Sequence, residues 1–194
     1  MRDRDRFNKL AGVGAATTAA ILLLGLAACS MSVDQKGEGS KKDNVDIQTP
    51  FGGLQVRTEV DPKDIGLPVY AGARRAPDDP HDTSSANVTL GIPGFGLKVI
   101  AAKFESDDSA EKVLEFYRKE LKSYGEVTEC KGDLNLKGDS PSEQAFTCKQ
   151  KPGGEVTLGT GKGSSHRIVS VERKDKGCKF ALVYLQMHGK ESTM

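Results

Sequence analysis

Apolar residues follow three different patterns along this 194-residue chain. A nearly unbroken apolar run occupies residues 10–28 and is densest at residues 21–24. Short segments further on alternate apolar and polar residues, and one stretch repeats apolar residues every three or four positions. Alternation predicts half-buried strands, whereas the longer spacing predicts an amphipathic helix. We therefore expect an N-terminal apolar segment followed by a domain with both strands and a helix.

The helix is predicted to begin at Asp108 and to stop at Gly125. Asp108 with Glu111 three residues later matches a capping box, and glycine is typical just after a helix end. One face of this helix is apolar and is predicted to pack into the core. Its members are Ala110, Val113, Leu114, Tyr117, Leu121 and Tyr124.

Alternating segments predict strands at residues 45–49, 54–58, 86–92, 96–104, 126–130, 144–149, 155–160, 167–173 and 179–187. One long helix among many short strands favours an α+β fold, a mostly antiparallel sheet with the helix packed across one face. Residues 45–194 are expected to form this single domain. Its core is expected to be modest because the chain has no tryptophan and few aromatic residues.

The N-terminal segment has a basic start, an apolar middle and small residues before Cys29, which is the anatomy of a secretory signal. Leu26-Ala-Ala-Cys29 resembles a bacterial lipobox. The resemblance implies that residues 1–28 are a signal peptide and that Cys29 becomes the first mature residue and carries lipid. An uncleaved transmembrane anchor is the alternative, since the apolar run is near the lower length that spans a bilayer.

Residues 29–44 are expected to be the lipidated cysteine and a flexible tether, because they are almost free of apolar side chains. A flexible coil of this length spans roughly 20 Å, which would lift the domain clear of the lipid headgroups. The lipid places the protein in the cell envelope, facing the periplasm or the exterior. Ser30 stands where an aspartate retains some lipoproteins at the inner membrane, and this favours the outer membrane.

Charge gives no indication of a nucleic-acid partner. Beyond residue 28 the chain has 24 basic and 25 acidic residues, interspersed along its length. Near-neutrality provides no field that would attract a polyanion. The lipid on Cys29 is therefore expected to supply the membrane affinity, and no cofactor is predicted.

Three cysteines follow Cys29. Cys130 and Cys148 lie in strand-like segments separated by a polar loop, and an exported protein meets an oxidising compartment. Two neighbouring strands joined by such a loop could bring these sulfurs together, so a Cys130–Cys148 disulfide is predicted. Pairings through Cys178 are the alternative. Cys178 opens the most apolar strand and is expected to be a buried thiol.

Catalytic and metal-binding patterns are poorly supported. Asp79, His81 and Asp82 fall in one acidic loop, for which a solvated surface is favoured over a metal site. His166 and His188 have no motif around them, and each is expected at the surface or at a strand edge. The competing hypothesis is an envelope hydrolase with a dispersed site, for which Asp79, His81 and His166 would be the first candidates.

One resemblance covers most of the domain. Gly66-Leu-Pro-Val-Tyr-Ala-Gly-Ala73, the helical Val113-Leu-Glu-Phe-Tyr117 and Gly125 are similar to segments of a family of uncharacterised bacterial lipoproteins. The resemblance implies the fold and the location, and it implies no activity. The corner at Tyr70 is expected to dock that side chain on the helix. Together these observations favour a membrane-anchored, non-enzymatic binding or interaction module whose partner is an unidentified envelope protein or ligand.

Overall fold

A large antiparallel sheet dominates the computed structural model, which describes residues 30–34, 44–78, 83–140, 143–153 and 155–189. The strands are β1 Ser30–Asp34, β2 Asn44–Thr49, β3 Gly52–Arg57, β4 Arg74–Arg75, β5 Ser85–Ile92, β6 Phe95–Ser106, β7 Thr128–Cys130, β8 Gly132–Lys137, β9 Ala145–Gln150, β10 Glu155–Lys162, β11 Ser165–Arg173 and β12 Cys178–Gly189. The helix, α1, is Ala110–Leu121, with 3₁₀ turns at Pro62–Ile65 and Lys122–Tyr124. The predicted α+β class, a mostly antiparallel sheet with one long helix, is confirmed for these ranges.

The strands of the large sheet follow the order β1-β2-β3-β5-β6-β12-β11-β10-β7, and β4 adds a short pairing with β6. The longest ladder joins β6 to β12 and runs from the Phe95–Gly189 pair to the Ser106–Cys178 pair. In this sheet, the strands that precede the helix meet those that follow it only along this ladder. β12, the last strand of the described residues, therefore lies in the middle of the sheet and joins its two halves.

The core lies between α1 and one face of the sheet, which we call the helix face. Paired residues of neighbouring strands point to the same face, so Phe104 with Phe180 and Ala102 with Leu182 mark it. The helix packs on β10 and β11. Its buried side chains are Ala110, Val113, Leu114, Tyr117 and Leu121. The predicted apolar stripe is thus confirmed as the buried face of the helix, and Tyr124 is half-buried beside it.

The helix begins at Ala110, two residues later than predicted. Ser109 is the N-cap residue, and its side chain makes no capping hydrogen bond. The Asp108 carboxylate instead accepts hydrogen bonds from the Tyr70 hydroxyl, at 3.0 Å, and from the Lys112 ammonium, at 2.7 Å. These two donors hold the pKa of Asp108 below its usual range. The predicted capping box is therefore wrong, because the carboxylate is used by side chains rather than by helix amides.

The segment between β3 and β4 docks on the helix as expected for Tyr70. The Tyr70 ring meets the Phe116 ring edge to face, with 5.4 Å between centroids. Ile65 and Leu67 of the same segment are buried in the core. Gly66 between them adopts a φ of +74°, which the turn requires. This segment is consequently part of the core rather than a surface connection.

A second, two-stranded sheet was not expected. Residues 132–137, predicted as part of a polar loop, form β8 and pair with β9. The alternation of Asp133, Leu134, Asn135, Leu136 and Lys137 was the available signal. This β8–β9 hairpin carries its apolar side chains toward the large sheet, so the loop interpretation is wrong.

Cys130 and Cys148 form a disulfide, with 5.4 Å between their Cα atoms. The two residues lie in different sheets, since Cys130 ends β7 and Cys148 is in β9. The bond therefore joins the hairpin to the large sheet rather than linking neighbouring strands as predicted. Cys178 is free and buried, as expected, and burial raises the pKa of its thiol.

The first described residues of the predicted flexible tether form a strand in the structure. Ser30–Asp34 is strand β1, which pairs antiparallel with β2 from Ser30–Gln48 to Asp34–Asn44. The exposed edge of β2 offers backbone groups to any extended segment beside it, which is a physical reason for this pairing. Residues 35–43, the rest of the expected tether, and the predicted signal segment lie outside the described residues.

Candidate binding surface

Of the candidate residues predicted from the sequence, Cys130, Cys148, His166 and His188 fall within the described ranges. Cys29, Asp79, His81 and Asp82 lie outside the described residues. The neighbouring Asp78 is exposed, and its carboxylate accepts a hydrogen bond from the Ser84 backbone N–H at 2.6 Å. The metal hypothesis for the acidic loop and its solvated alternative both remain predictions.

His166 is buried, not at the surface or at a sheet edge as predicted. Its side chain is 1% exposed, and the Phe146 ring of the β8–β9 hairpin packs edge to face on it at 5.4 Å. Burial lowers the pKa of His166, and an approach to the Gly163 backbone opposes that shift. The hairpin that covers it was missed in the sequence, which explains the error. His188, in contrast, is exposed near the end of β12, as expected.

The face of the sheet opposite the helix, which we call the second face, has a large apolar half. Half-buried aliphatic residues recur on it from β2 across to β11. They are Val45, Ile47, Leu54, Val56, Ala86, Val88, Leu90, Leu97, Val99, Ala101, Ile168, Val183, Leu185 and Met187. With strands about 4.8 Å apart and like-facing side chains about 6.8 Å apart, this half covers roughly 400 Å². An apolar patch of that size on a monomer is often functional.

Little of the described chain covers this apolar half. The β8–β9 hairpin packs on β10 and β7, at the far side of the sheet from β2. A methyl group at Gly159 would collide with Leu134 and Phe146, which shows how closely the hairpin is seated there. None of the extensive contacts made by the helix or the hairpin involves β2, β3 or β5. Within the described ranges, the apolar half is therefore left open beside the hairpin.

The other half of the second face is charged. Lys103, Glu155, Glu172 and Lys179 line a cleft of about 260 Å³ there, together with residues of the loop that follows β4. The Lys179 ammonium lies 3.0 Å from the Glu105 carboxylate. Acidic and basic groups thus alternate beside the apolar half and compensate one another, so the second face combines an apolar area with a mixed-charge border.

This surface was not predicted from the sequence, although most of the strands were. The alternating segments showed that each strand has an apolar side, and they did not show which apolar sides the helix would cover. On β5 the polar Asn87 and Thr89 turn toward the helix face, while Val88 and Leu90 turn away from it. The apolar side of this strand is therefore on the face that the helix leaves bare.

The described residues contain neither a metal-binding cluster nor a membrane-spanning helix. No three histidine, cysteine, aspartate or glutamate side chains converge there in an arrangement that could hold a metal ion. No helix in the same residues combines the length and hydropathy that crossing a membrane requires. Comparisons of the chain with models of protein families, with curated proteins and with solved structures returned no match.

Proposed function

We propose that this protein is a lipid-anchored, non-enzymatic binding module of a bacterial cell envelope, held at the membrane by lipid on Cys29. The apolar half of the second face is the surface through which it binds a partner protein. The observation that carries this proposal is the row of half-buried aliphatic side chains on β2, β3, β5, β6 and β12, over which the described chain places no helix or hairpin.

The composition of the surface favours a protein partner. A typical protein interface has an apolar centre and a polar, hydrated border. The second face has this arrangement, since its apolar half adjoins Lys103, Glu105, Glu172 and Lys179. Groups of both signs suit a partner with complementary charges, and they would be costly to bury in hydrocarbon.

Site-specific photo-crosslinking in intact cells tests the proposal. A photoreactive amino acid at Val99 probes the second face, and one at Lys98 is a matched control in the same strand. Both positions are half-buried, and they point to opposite faces of the sheet. Leu54 and Gln55 form a second matched pair on β3.

We expect a discrete protein adduct from Val99 and Leu54 and none from Lys98 and Gln55. Equal adducts from both faces would contradict the proposal, because contact would then not depend on the apolar half. Adducts of lipid mass alone from Val99 and Leu54 would show that the second face binds lipid instead of a protein.

A further inference from the structure

Three large apolar side chains are strongly exposed within the described residues, and all three lie at one end of the sheet. Phe51 is 77% exposed, Ile92 is 50% exposed and Phe95 is 36% exposed. Phe51 lies in the turn between β2 and β3, and the other two flank the turn between β5 and β6. We call these three residues the apolar tip.

The two turns of the apolar tip are in contact. β3 pairs with β5, and Gly53 lies opposite Gly91 at the end of that ladder. A side chain at Gly52 would collide with the Gly91 carbonyl oxygen and with Ile92, so only glycine permits this approach. The exposed side chains consequently form one cluster rather than scattered positions, which are normal on protein surfaces.

The N-terminal strand reaches the sheet at this same end. Ser30, the residue directly after Cys29, pairs with Gln48, just before the turn that holds Phe51. From there β1 runs away from the apolar tip toward Asp34. Lipid on Cys29 would therefore be attached one residue from the end of the sheet where the apolar tip lies.

The distribution of charge agrees with this orientation. The turn segments at residues 49–53, 91–96 and 162–166 contain no aspartate or glutamate. The opposite end of the sheet carries Asp107, Asp108 and Asp175. Carboxylates are thus absent from these three turns, whereas the exposed Glu126 precedes β7 at the same end of the sheet. The apolar half of the second face also extends to this end, through Leu90, Leu97 and Met187.

We propose that the apolar tip inserts into the surface of the lipid bilayer beside the Cys29 anchor, so that the strands stand upright on the membrane. Aromatic and aliphatic side chains on turns are suited to the boundary between headgroups and acyl chains. This inference rests on the lipidation of Cys29 in the proposed function. It replaces the expectation of a domain held clear of the headgroups by a flexible tether.

Tryptophan fluorescence offers a test without background, because the chain contains no tryptophan. Phe51→Trp and Phe95→Trp report on the apolar tip. Lys176→Trp is the control, since Lys176 is exposed in the turn between β11 and β12 at the opposite end. Each full-length variant is purified in its mature lipidated form and added to phosphatidylethanolamine–phosphatidylglycerol vesicles with brominated acyl chains. Equal unfolding midpoints would show that the three variants share one fold.

We expect brominated lipid to quench the tryptophans at positions 51 and 95 at least twofold, with a blue shift, and to leave the tryptophan at position 176 unchanged. Absence of quenching at both tip positions on membrane-bound protein, or equal quenching at all three, would overturn the inference.

A second set of variants distinguishes membrane insertion of the apolar tip from anchoring by lipid on Cys29. Cys29→Ser is combined with each reporter, and the vesicle titration is repeated at higher lipid concentration. Selective quenching at positions 51 and 95 in this form supports the tip even if labelled palmitate shows that Cys29 carries no lipid in cells. If Cys29 is lipidated and positions 51 and 95 show no quenching, the lipid anchor is supported and insertion of the apolar tip is rejected.

Discussion

The Tyr117 hydroxyl on the helix holds the backbone at Tyr70 in place. It accepts a hydrogen bond from the Tyr70 amide at 3.1 Å and donates one to the Pro68 carbonyl at 3.2 Å. The Tyr117 side chain is fully buried, and burial raises the pKa of its hydroxyl. One phenol thereby satisfies two backbone groups of the segment that closes the core.

Replacing Tyr117 by phenylalanine tests this relationship. The substitution keeps the ring and leaves a buried donor and a buried acceptor unpaired, so we expect a loss of about 1–3 kcal/mol in unfolding free energy. Tyr184→Phe is the control, because its hydroxyl meets only Ser165 at a long 3.4 Å. Urea unfolding measures both variants, and equal midpoints would show that the hydroxyl of Tyr117 is not needed.

The apolar stripe of the helix should carry much of the stability of the domain. A helix of this length is marginal alone in water, so burial against the sheet must stabilise it. Leu121 is fully buried, and Leu121→Ala should cost about 2–5 kcal/mol. Lys119→Ala should change the free energy of unfolding by less than about 0.5 kcal/mol, since Lys119 makes only an exposed ion pair with Glu115. Matching denaturant midpoints for the two variants would place the stripe outside the core.

Loss of the disulfide should destabilise the domain by releasing the hairpin. The bond spans 18 residues, for which loop closure predicts about 3 kcal/mol of stabilisation. Cys148→Ser is the cleaner variant, because Cys148 is exposed whereas Cys130 is fully buried. We expect dithiothreitol to lower the urea midpoint of the wild type and to have no effect on the variant. An unchanged wild-type midpoint under reduction would contradict this stabilising role.

Burial of His166 should make stability depend on pH. Its pKa is lowered in the folded state, so the unfolded chain binds the proton first as the pH falls. Stability is therefore retained above the unfolded pKa of about 6.5 and falls below it, by at most about 1.4 kcal/mol per pH unit for one proton. Urea midpoints at pH 8 and pH 5.5 should differ more for the wild type than for His166→Leu. Parallel profiles would mean that His166 titrates alike in both states.

The proposed lipid anchor depends on a single sulfur atom, that of Cys29. Cys29→Ser should abolish incorporation of labelled palmitate and leave the protein at the precursor size or in the soluble fraction. Cys178→Ala is a useful control, since that thiol is buried in the folded domain. A Cys29→Ser protein that keeps the wild-type mass and still sediments with membranes would contradict the lipobox interpretation.

Local sequence patterns predicted those elements whose formation depends on residues that are close together in the chain. The spacing of Val113, Tyr117 and Leu121 identified the buried face of the helix. The helix ends at Leu121, four residues before the predicted end, and Gly125 instead follows the 3₁₀ turn Lys122–Tyr124. Asp108 was misassigned because its partner Tyr70 is 38 residues away in sequence. A capping pattern takes account only of residues close to the carboxylate in sequence. It gives no information about a distant hydrogen-bond donor, such as the Tyr70 hydroxyl, that the fold brings to the same carboxylate.

The candidate surface was not predictable from the sequence, because its location depends on the order of the strands in the sheet. Local sequence patterns do not specify that order. A helix of this length is about 18 Å long and 10 Å across, whereas nine adjacent strands span roughly 38 Å. Simple geometry thus indicates that much of the sheet lacks a helical cover. Which strands remain uncovered follows from the pairing of β6 with β12, a contact between distant parts of the chain.

That pairing also bears on how the protein folds as it is made. β12 lies in the middle of the sheet and supplies Cys178, Phe180 and Leu182 to the core, so a fragment that ends before Cys178 lacks part of that core. Synthesis delivers the N-terminal part first, and pairing between distant strands is slow. The growing chain consequently remains open until residues 178–189 have been made, and an open chain is the form that can thread through a translocation channel. For a chain exported as proposed, the position of β12 would defer folding to the far side of the membrane, where the oxidising conditions needed for the Cys130–Cys148 bond are found.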